Sequence, residues 1–276
     1  MIRKIGIMQG RLSPPINGRI QAFPAMTWRE EFHAAQEAGL DSIEWIFDVE
    51  NEQNPLFIDT GRSEMKALSR STGVSVESVC ADYFMSELLL SGPEEVRSRH
   101  LATLQALVGN SAKLGIHHIV LPFVDQSRLD LPRDEPALAA LMVQLLPTLD
   151  EARVELHLET SLAPGAFSAL IQKMDSPLVK INYDTGNSAS LGYDSDEEFA
   201  AYGSRIGSVH LKDRRLQGGT VPLGEGAVDF RKLALGLKQI EYQGNFILQA
   251  ARGQNGEERA WARRNLAFAR DVLSRI

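Results

Sequence analysis

The stretch KIGIMQGRLSPP, residues 4–15, decides between two folds that the rest of the chain allows. Its first half, KIGIM, reads as a short apolar strand. A doubly wound open sheet would follow that strand with a glycine-rich phosphate turn, G-x-G-x-x-G, opening a helix. The chain continues QGRLSPP, which lacks that spacing. The alternative is a barrel, in which the first strand leads into an ordinary loop.

Outward from this stretch, short apolar runs alternate with amphipathic segments to the end of the chain. TWREEFHAAQEAG (27–39) follows the first strand, with Thr27 and Glu30 spaced as a capping box and Gly39 as a stop. SIEWIF (42–47) precedes RSEMKALSRSTG (62–73). SVESVC (75–80) precedes a helix over 93–115 with an apolar stripe of Val96, Leu101, Leu104, Leu107, Val108 and Leu114. HHIVLPF (117–123) precedes a helix over 135–152, which Pro147 is expected to kink or end. VELHLE (154–159), VKINYD (179–184), GSVHLK (207–212) and NFILQA (245–250) follow, each leading into a helical segment, the last over 257–276. Roughly eight strand–helix units in a chain of this size predict an α/β fold, a (β/α)8 TIM barrel forming a single domain over residues 1–276.

Composition narrows the function classes. The chain has 276 residues, 43% of them hydrophobic, and a formal charge of -7. Its one basic cluster, KDRRL (212–216), is short and mixed, so a polyanionic partner is not expected. Cys80 is the only cysteine, which rules out an internal disulfide and points to a reducing compartment. No run reaches transmembrane length. These features predict a cytoplasmic protein that binds a small molecule, with no nucleic acid and no membrane, and leave room for a homo-oligomer.

In a parallel barrel the chemistry sits at the C-terminal ends of the strands. The fifth strand ends at Glu159 and the sixth at Asp184; the seventh carries His210 and the eighth Gln249. A strand-end carboxylate by itself is ordinarily a loop cap. Two carboxylates, an imidazole and an amide oxygen from four consecutive strands instead suggest one divalent metal ion, Mn, Mg, Co or Zn.

The chain resembles the xylose-isomerase-like barrels of sugar isomerases and epimerases. The resemblance rests on IMQGRLSP (7–14), GLDSIEWIF (39–47), LHLET (156–160), NYDTGN (182–187), VHLKDR (209–214) and VPLGEGAVDF (221–230). It implies a divalent ion held by Glu159, Asp184 and His210 with a fourth carboxylate from the last strand, and a part for Glu159 in proton transfer. Two departures stand out. The last-strand ligand of such barrels is usually Glu, where this chain has Gln249; the residue three after the sixth-strand Asp is usually His, where it has Asn187. Gln249 keeps a ligating oxygen but cannot carry a proton, and Asn187 can bond a sugar hydroxyl but cannot become a cation.

Other residues carry two readings each. Lys212 either stabilises charge at the mouth or pairs with Asp213 in the loop. Glu225, in the GEG turn, either lines a substrate loop or is a plain turn residue. Arg252 and Arg11 either contact substrate or a phosphate, or are structural. Glu44 either faces the pocket or is satisfied inside the barrel by a cation. His157 is expected as a hydrogen-bonded interior histidine or one supporting the site from behind the ligands, and His117 and His118 open a strand at the face away from the chemistry.

The resulting expectation is a metal-dependent sugar or sugar-phosphate isomerase/epimerase that abstracts a proton next to a carbonyl through an ene-diolate, with Glu159 as base. Asn187, Lys212, Glu225 and Arg252 would bind the substrate. A polyol-ketone dehydratase would use the same carbanion chemistry, and a non-catalytic carbohydrate-binding barrel would account for Gln249 and Asn187. An abasic-site endonuclease on this fold needs several metal-ligating histidines and a basic face, which the charge of -7 does not supply.

Overall fold

The structure, a computed structural model, describes residues 3–49 and 53–274. The last two residues of the expected C-terminal helix lie outside the described residues. The strands are β1 (Ile5–Met8), β2 (Ser42–Ile46), β3 (Ser75–Cys80), β4 (His118–Phe123), β5 (Glu155–Thr160), β6 (Val179–Asp184), β7 (Ile206–Leu211), β8 (Asp213–Arg214), β9 (Thr220–Val221) and β10 (Phe246–Leu248). All but β8 and β9 close into a parallel barrel in the order β1, β10, β7, β6, β5, β4, β3, β2. The fold is the expected (β/α)8 barrel. The β8–β9 pair is an antiparallel ribbon inserted after β7, too short for an apolar pattern to announce it.

Alternation along the strands sorts the side chains between two environments. On β2, Ile43 and Trp45 point outward into the layer between strands and helices. The Trp45 ring lies 5.7 Å from Phe23, 5.6 Å from Trp28 and 6.2 Å from Phe32, and is fully buried. Truncating such a ring costs about 3–5 kcal/mol. Glu44, between Ile43 and Trp45, points into the barrel and meets His210 from β7. Barrel interiors are ordinarily filled by branched apolar side chains. Here the inward rows of β5, β6 and β7 are polar and buried: His157 and Glu159, Asn182 and Asp184, Ser208 and His210.

Register brings the tips of these rows to one rim. Asp184 lies opposite His210, Pro122 opposite Glu159, and Leu158 opposite Ile181.

The helices follow the apolar periodicity with local differences. The helix Trp28–Ala38 stops at Gly39, whose φ of 80° is the left-handed conformation that glycine adopts without strain. Its capping box does not form; the Thr27 hydroxyl donates to Ser13 Oγ instead, at 2.8 Å. The helix Glu135–Ala152 runs through Pro147, because Leu141, Met142, Leu145 and Leu149 hold its inner face on both sides of the proline. In the helix Glu94–Leu114, Leu101, Leu104, Leu107 and Val108 are buried as the stripe required, while Val96 and Leu114 at its ends are half-buried. Among the described residues, no helix is long and apolar enough to cross a membrane.

Candidate active site

Three buried side chains converge at the C-terminal rim. Glu159, Asp184 and His210 each offer a ligand atom, and these atoms lie within 4.8 Å of one another.

Each is held by a separate local device. Both Glu159 oxygens accept amide hydrogen bonds: Oε2 from Asn182 Nδ2 at 2.8 Å, Oε1 from Asn187 Nδ2 at 2.6 Å. Asp184 ends β6 and caps the helix Thr185–Leu191, its Oδ1 accepting from the Asn187 backbone N–H at 2.8 Å. Gly186 lets that turn dock on the strand-seven loop, for a Cβ there would meet Lys212 Cγ at 2.8 Å. His210 Nε2 lies 2.7 Å from Glu44 Oε1, an ion-pair contact without hydrogen-bond alignment. Glu44 in turn accepts from Ser78 Oγ at 2.7 Å. Of the two readings open for Glu44, the structure shows the one inside the barrel, where it pairs in charge with His210.

The other His210 nitrogen, Nδ1, is buried without a hydrogen-bond partner, 3.6 Å from Glu159 Oε2. Burial opposes a charge on His210, but Glu44, with Glu159 and Asp184 behind it, outweighs burial and raises the imidazolium to about 9. Burial, then the Asp184 carboxylate, pushes the Glu159 carboxyl well above the usual range, against the pull of His210 and Lys212.

The three residues fit a divalent metal. Oxygen and nitrogen donors suit Mn, Mg, Co or Zn. The unpartnered Nδ1 faces Glu159, and Glu44 stands behind the ring where an outer-shell carboxylate would orient a ligating histidine. Gln249, the fourth ligand expected, is engaged by neighbouring side chains. Its amide oxygen accepts from Lys212 Nζ at 3.2 Å, and the same ammonium is 3.2 Å from Asp184 Oδ2. Its Nε2 donates to Gln21 Oε1 at 3.1 Å. Lys212 therefore bridges Asp184 and Gln249, while Asp213, read as its loop partner, turns the other way. Asp213 is fully buried and accepts the backbone N–H groups of Gly224, Gly226 and Val228.

Above the cluster opens a cavity of about 410 Å³, a size common for small-molecule sites, lined in part by Glu159, Asn187, Lys212, Arg214 and Gln249. Glu225 is exposed on the loop that Asp213 pins and does not line this cavity. Arg252, expected at the substrate, gives its donors to the carbonyls of Gly10, Ser13 and Ile20 at 2.7, 2.9 and 2.9 Å, and so braces the loop after β1. Arg11 is likewise tied to Ala250 O, Ile20 O and Gln21 Oε1.

Three rim residues went unread in the sequence. Asn182 alternates with Asp184 on β6, so period two alone would have found it. Arg214 donates to Asn187 Oδ1 at 2.9 Å, and Gln21 to Asp82 Oδ2 at 2.7 Å. No local pattern marks either.

The fold is a closed parallel barrel whose C-terminal mouth carries a buried carboxylate–imidazole cluster that could hold a divalent ion. The chain belongs to the xylose isomerase-like TIM barrel family, which residues 32–272 match. SgbU of Escherichia coli (strain K12) is 26% identical over 242 residues, covering 81% of this chain and 84% of its own. UlaE of Shigella flexneri (serotype 5b), an L-ribulose-5-phosphate 3-epimerase, is 26% identical over 240 residues, covering 83% of this chain and 84% of its own. The crystal structure of the IOLI protein with a bound zinc atom superposes with a TM-score of 0.78 at 13% identity, over 98% of each chain. At that identity the likeness is one of fold.

Proposed function

We propose that this chain is a divalent-metal-dependent sugar or sugar-phosphate isomerase or epimerase. It abstracts a proton next to the substrate carbonyl and passes through an ene-diolate, with Glu159 as the base. One observation carries this reading. Glu159 is a buried carboxylate with its proton affinity raised, clamped by two amides, beside Asp184 and the unpartnered Nδ1 of His210, and it borders the cavity.

Glu159, Asp184 and His210 are the residues that would hold the ion. A divalent cation there supplies positive charge beside the oxygens on which the ene-diolate charge develops. Asn182 and Asn187 keep the Glu159 carboxylate from swinging away from the substrate. Lys212 adds a fixed cation between Asp184 and Gln249, on the side of the rim where relatives would be expected to carry an acid.

Gln249 limits the stereochemistry. One base returning its proton to the same face produces aldose–ketose isomerisation. A 3-epimerase such as UlaE removes and returns protons on opposite faces, and in this chain that reading assigns the second proton to Lys212, 3.2 Å from Gln249 Oε1. Gln249 also favours a second reading, a carbohydrate-binding barrel without turnover. The test is to incubate the protein and its Glu159→Gln variant with Mn2+ and L-ribulose 5-phosphate, then a panel of free and phosphorylated ketoses, and to separate the products by chromatography. Conversion by the wild type and none by the variant supports the enzyme. Metal binding without conversion of any sugar supports the binder.

A further inference from the structure

We infer that Ser208, backed by His157, is a positioning residue for the Glu159 carboxylate, acting through the amide of Asn182. The inference rests on the reading of Glu159 as ligand and base. A single hydrogen-bonded chain runs through the barrel interior to that carboxylate. Asn182 Nδ2 donates to Glu159 Oε2 at 2.8 Å; Ser208 Oγ donates to Asn182 Oδ1 at 2.7 Å; His157 Nδ1 lies 2.8 Å from Ser208 Oγ. Asn182 and Ser208 are each 2% exposed and His157 1%, so water cannot replace a missing link.

Donor chemistry gives the chain a direction. An ionised carboxylate only accepts, so Asn182 must present its NH2 to Glu159 and its oxygen to Ser208. Ser208 Oγ donates to that oxygen, and His157 Nδ1, 2.8 Å away, is its second buried polar neighbour. Burial lowers the proton affinity of the His157 ring, and Glu155 Oε2, 2.9 Å from its other nitrogen, offsets that only in part. The ring itself is fixed by packing. It stacks on His118 at 4.0 Å, and Gly207 leaves room for it, since a Cβ at 207 would stand 2.5 Å from His157 Cε1.

Without the Ser208 hydroxyl, Asn182 Oδ1 loses its buried donor, and only the Glu159 carboxylate itself holds the amide against rotation. A turned amide would put its oxygen against the carboxylate. Three buried polar residues on three adjacent strands are not what packing a barrel interior calls for. A chain that ends on Glu159 accounts for all of them.

The test compares wild type with Ser208→Ala and Ser208→Thr. Mn2+ affinity is read by calorimetry, melting temperature is read without metal, and kcat and KM are read on any substrate that turns over. Ser208→Ala is expected to bind Mn2+ about 10–100-fold more weakly, the effect usual for losing an outer-shell partner, and to lose kcat with KM little changed. Ser208→Thr, which keeps the hydroxyl, is expected to restore affinity. A Ser208→Ala protein that melts lower yet binds Mn2+ like wild type would show a merely structural hydroxyl and overturn the inference, as would a Thr variant as weak as the Ala variant. Should the Ala variant not fold, Gly207→Ala, which displaces the His157 ring from Ser208, carries the same metal-affinity test. If no sugar turns over, the proposed reaction fails while the metal arm still decides this point.

Discussion

Raising the pH should tighten metal binding and weaken the metal-free protein at the same time, and His210 is the reason. A metal ligand must be deprotonated. Burial opposes the imidazolium, but Glu44 first, then Glu159 and Asp184, raise it to about 9. At pH 7 the neutral ring is therefore the minor form, and a binding ion must displace a proton at a cost of about 3 kcal/mol. Mn2+ affinity is expected to rise about tenfold per pH unit from pH 7 to 9 and then to level off. The metal-free protein responds with the opposite sign. Its folded-state value lies above the ordinary histidine value of about 6.5, so the ion-pair stabilisation is fully present below that pH and is lost as pH rises through about 9. The shift is worth about 3 kcal/mol in all. Glu159, also raised, adds in the same direction, because the folded chain holds its proton to higher pH than the unfolded chain does. Thermal melts with EDTA should fall in temperature from pH 6.5 to 9, while the increment given by saturating Mn2+ grows. In Glu44→Gln, the pH region over which affinity climbs should move down by about 1–3 units, the usual effect of removing an adjacent opposite charge. Calorimetry and parallel melts at several pH values provide the measurement. Equal Mn2+ affinity at pH 7 and pH 9, with a constant melting increment, would refute His210 as a ligand and the role given to Glu44.

Gln249→Glu should tighten Mn2+ binding by about 1–2 kcal/mol for one added charge-assisted ligand, read by calorimetry; no change would mean that the side chain stays on Lys212 and does not face the ion. The same variant should raise 3-epimerase turnover if the missing second carboxylate is what limits it. Arg252→Ala, which strips partners from three backbone carbonyls, should lower stability by about 1–3 kcal/mol in urea titrations and leave KM unchanged; a raised KM with unchanged stability would restore the substrate role the sequence suggested.

Much of the site was legible because barrel geometry converts strand ends into a rim. VELHLET, VKINYD and GSVHLK each carry a polar residue at the tip of an apolar alternation, and the cluster of Glu159, Asp184 and His210 follows. What stayed hidden depends on which residues of distant strands come level. His157, Asn182 and Ser208 each sit two residues before a rim residue, but their joining in one chain needs the β5–β6–β7 register. Glu44 was open between two readings because its partner, His210, lies far along the chain. Arg252 was open between substrate and structure because the carbonyls it binds lie in the loop after β1, far along the chain, and no local pattern announces that return. The helix Thr185–Leu191 is too short to show periodicity, and its start is marked only by Asp184, which also serves the rim. Gln249 was placed at the correct strand end, but its engagement by Lys212 depends on how the strand-seven loop turns.

The measurement that bears most directly on the account is deuterium wash-in. Wild-type protein and Glu159→Gln, each saturated with Mn2+, are incubated in D2O with L-ribulose 5-phosphate and with a panel of other ketoses, and the sugars are analysed by mass spectrometry and NMR. With Glu159 as the base, wild type should show metal-dependent incorporation of deuterium at a carbon next to the carbonyl, abolished by EDTA and absent in Glu159→Gln. Incorporation that persists at the wild-type rate in Glu159→Gln, or a metal-loaded wild type that exchanges no proton of any sugar, would contradict that assignment.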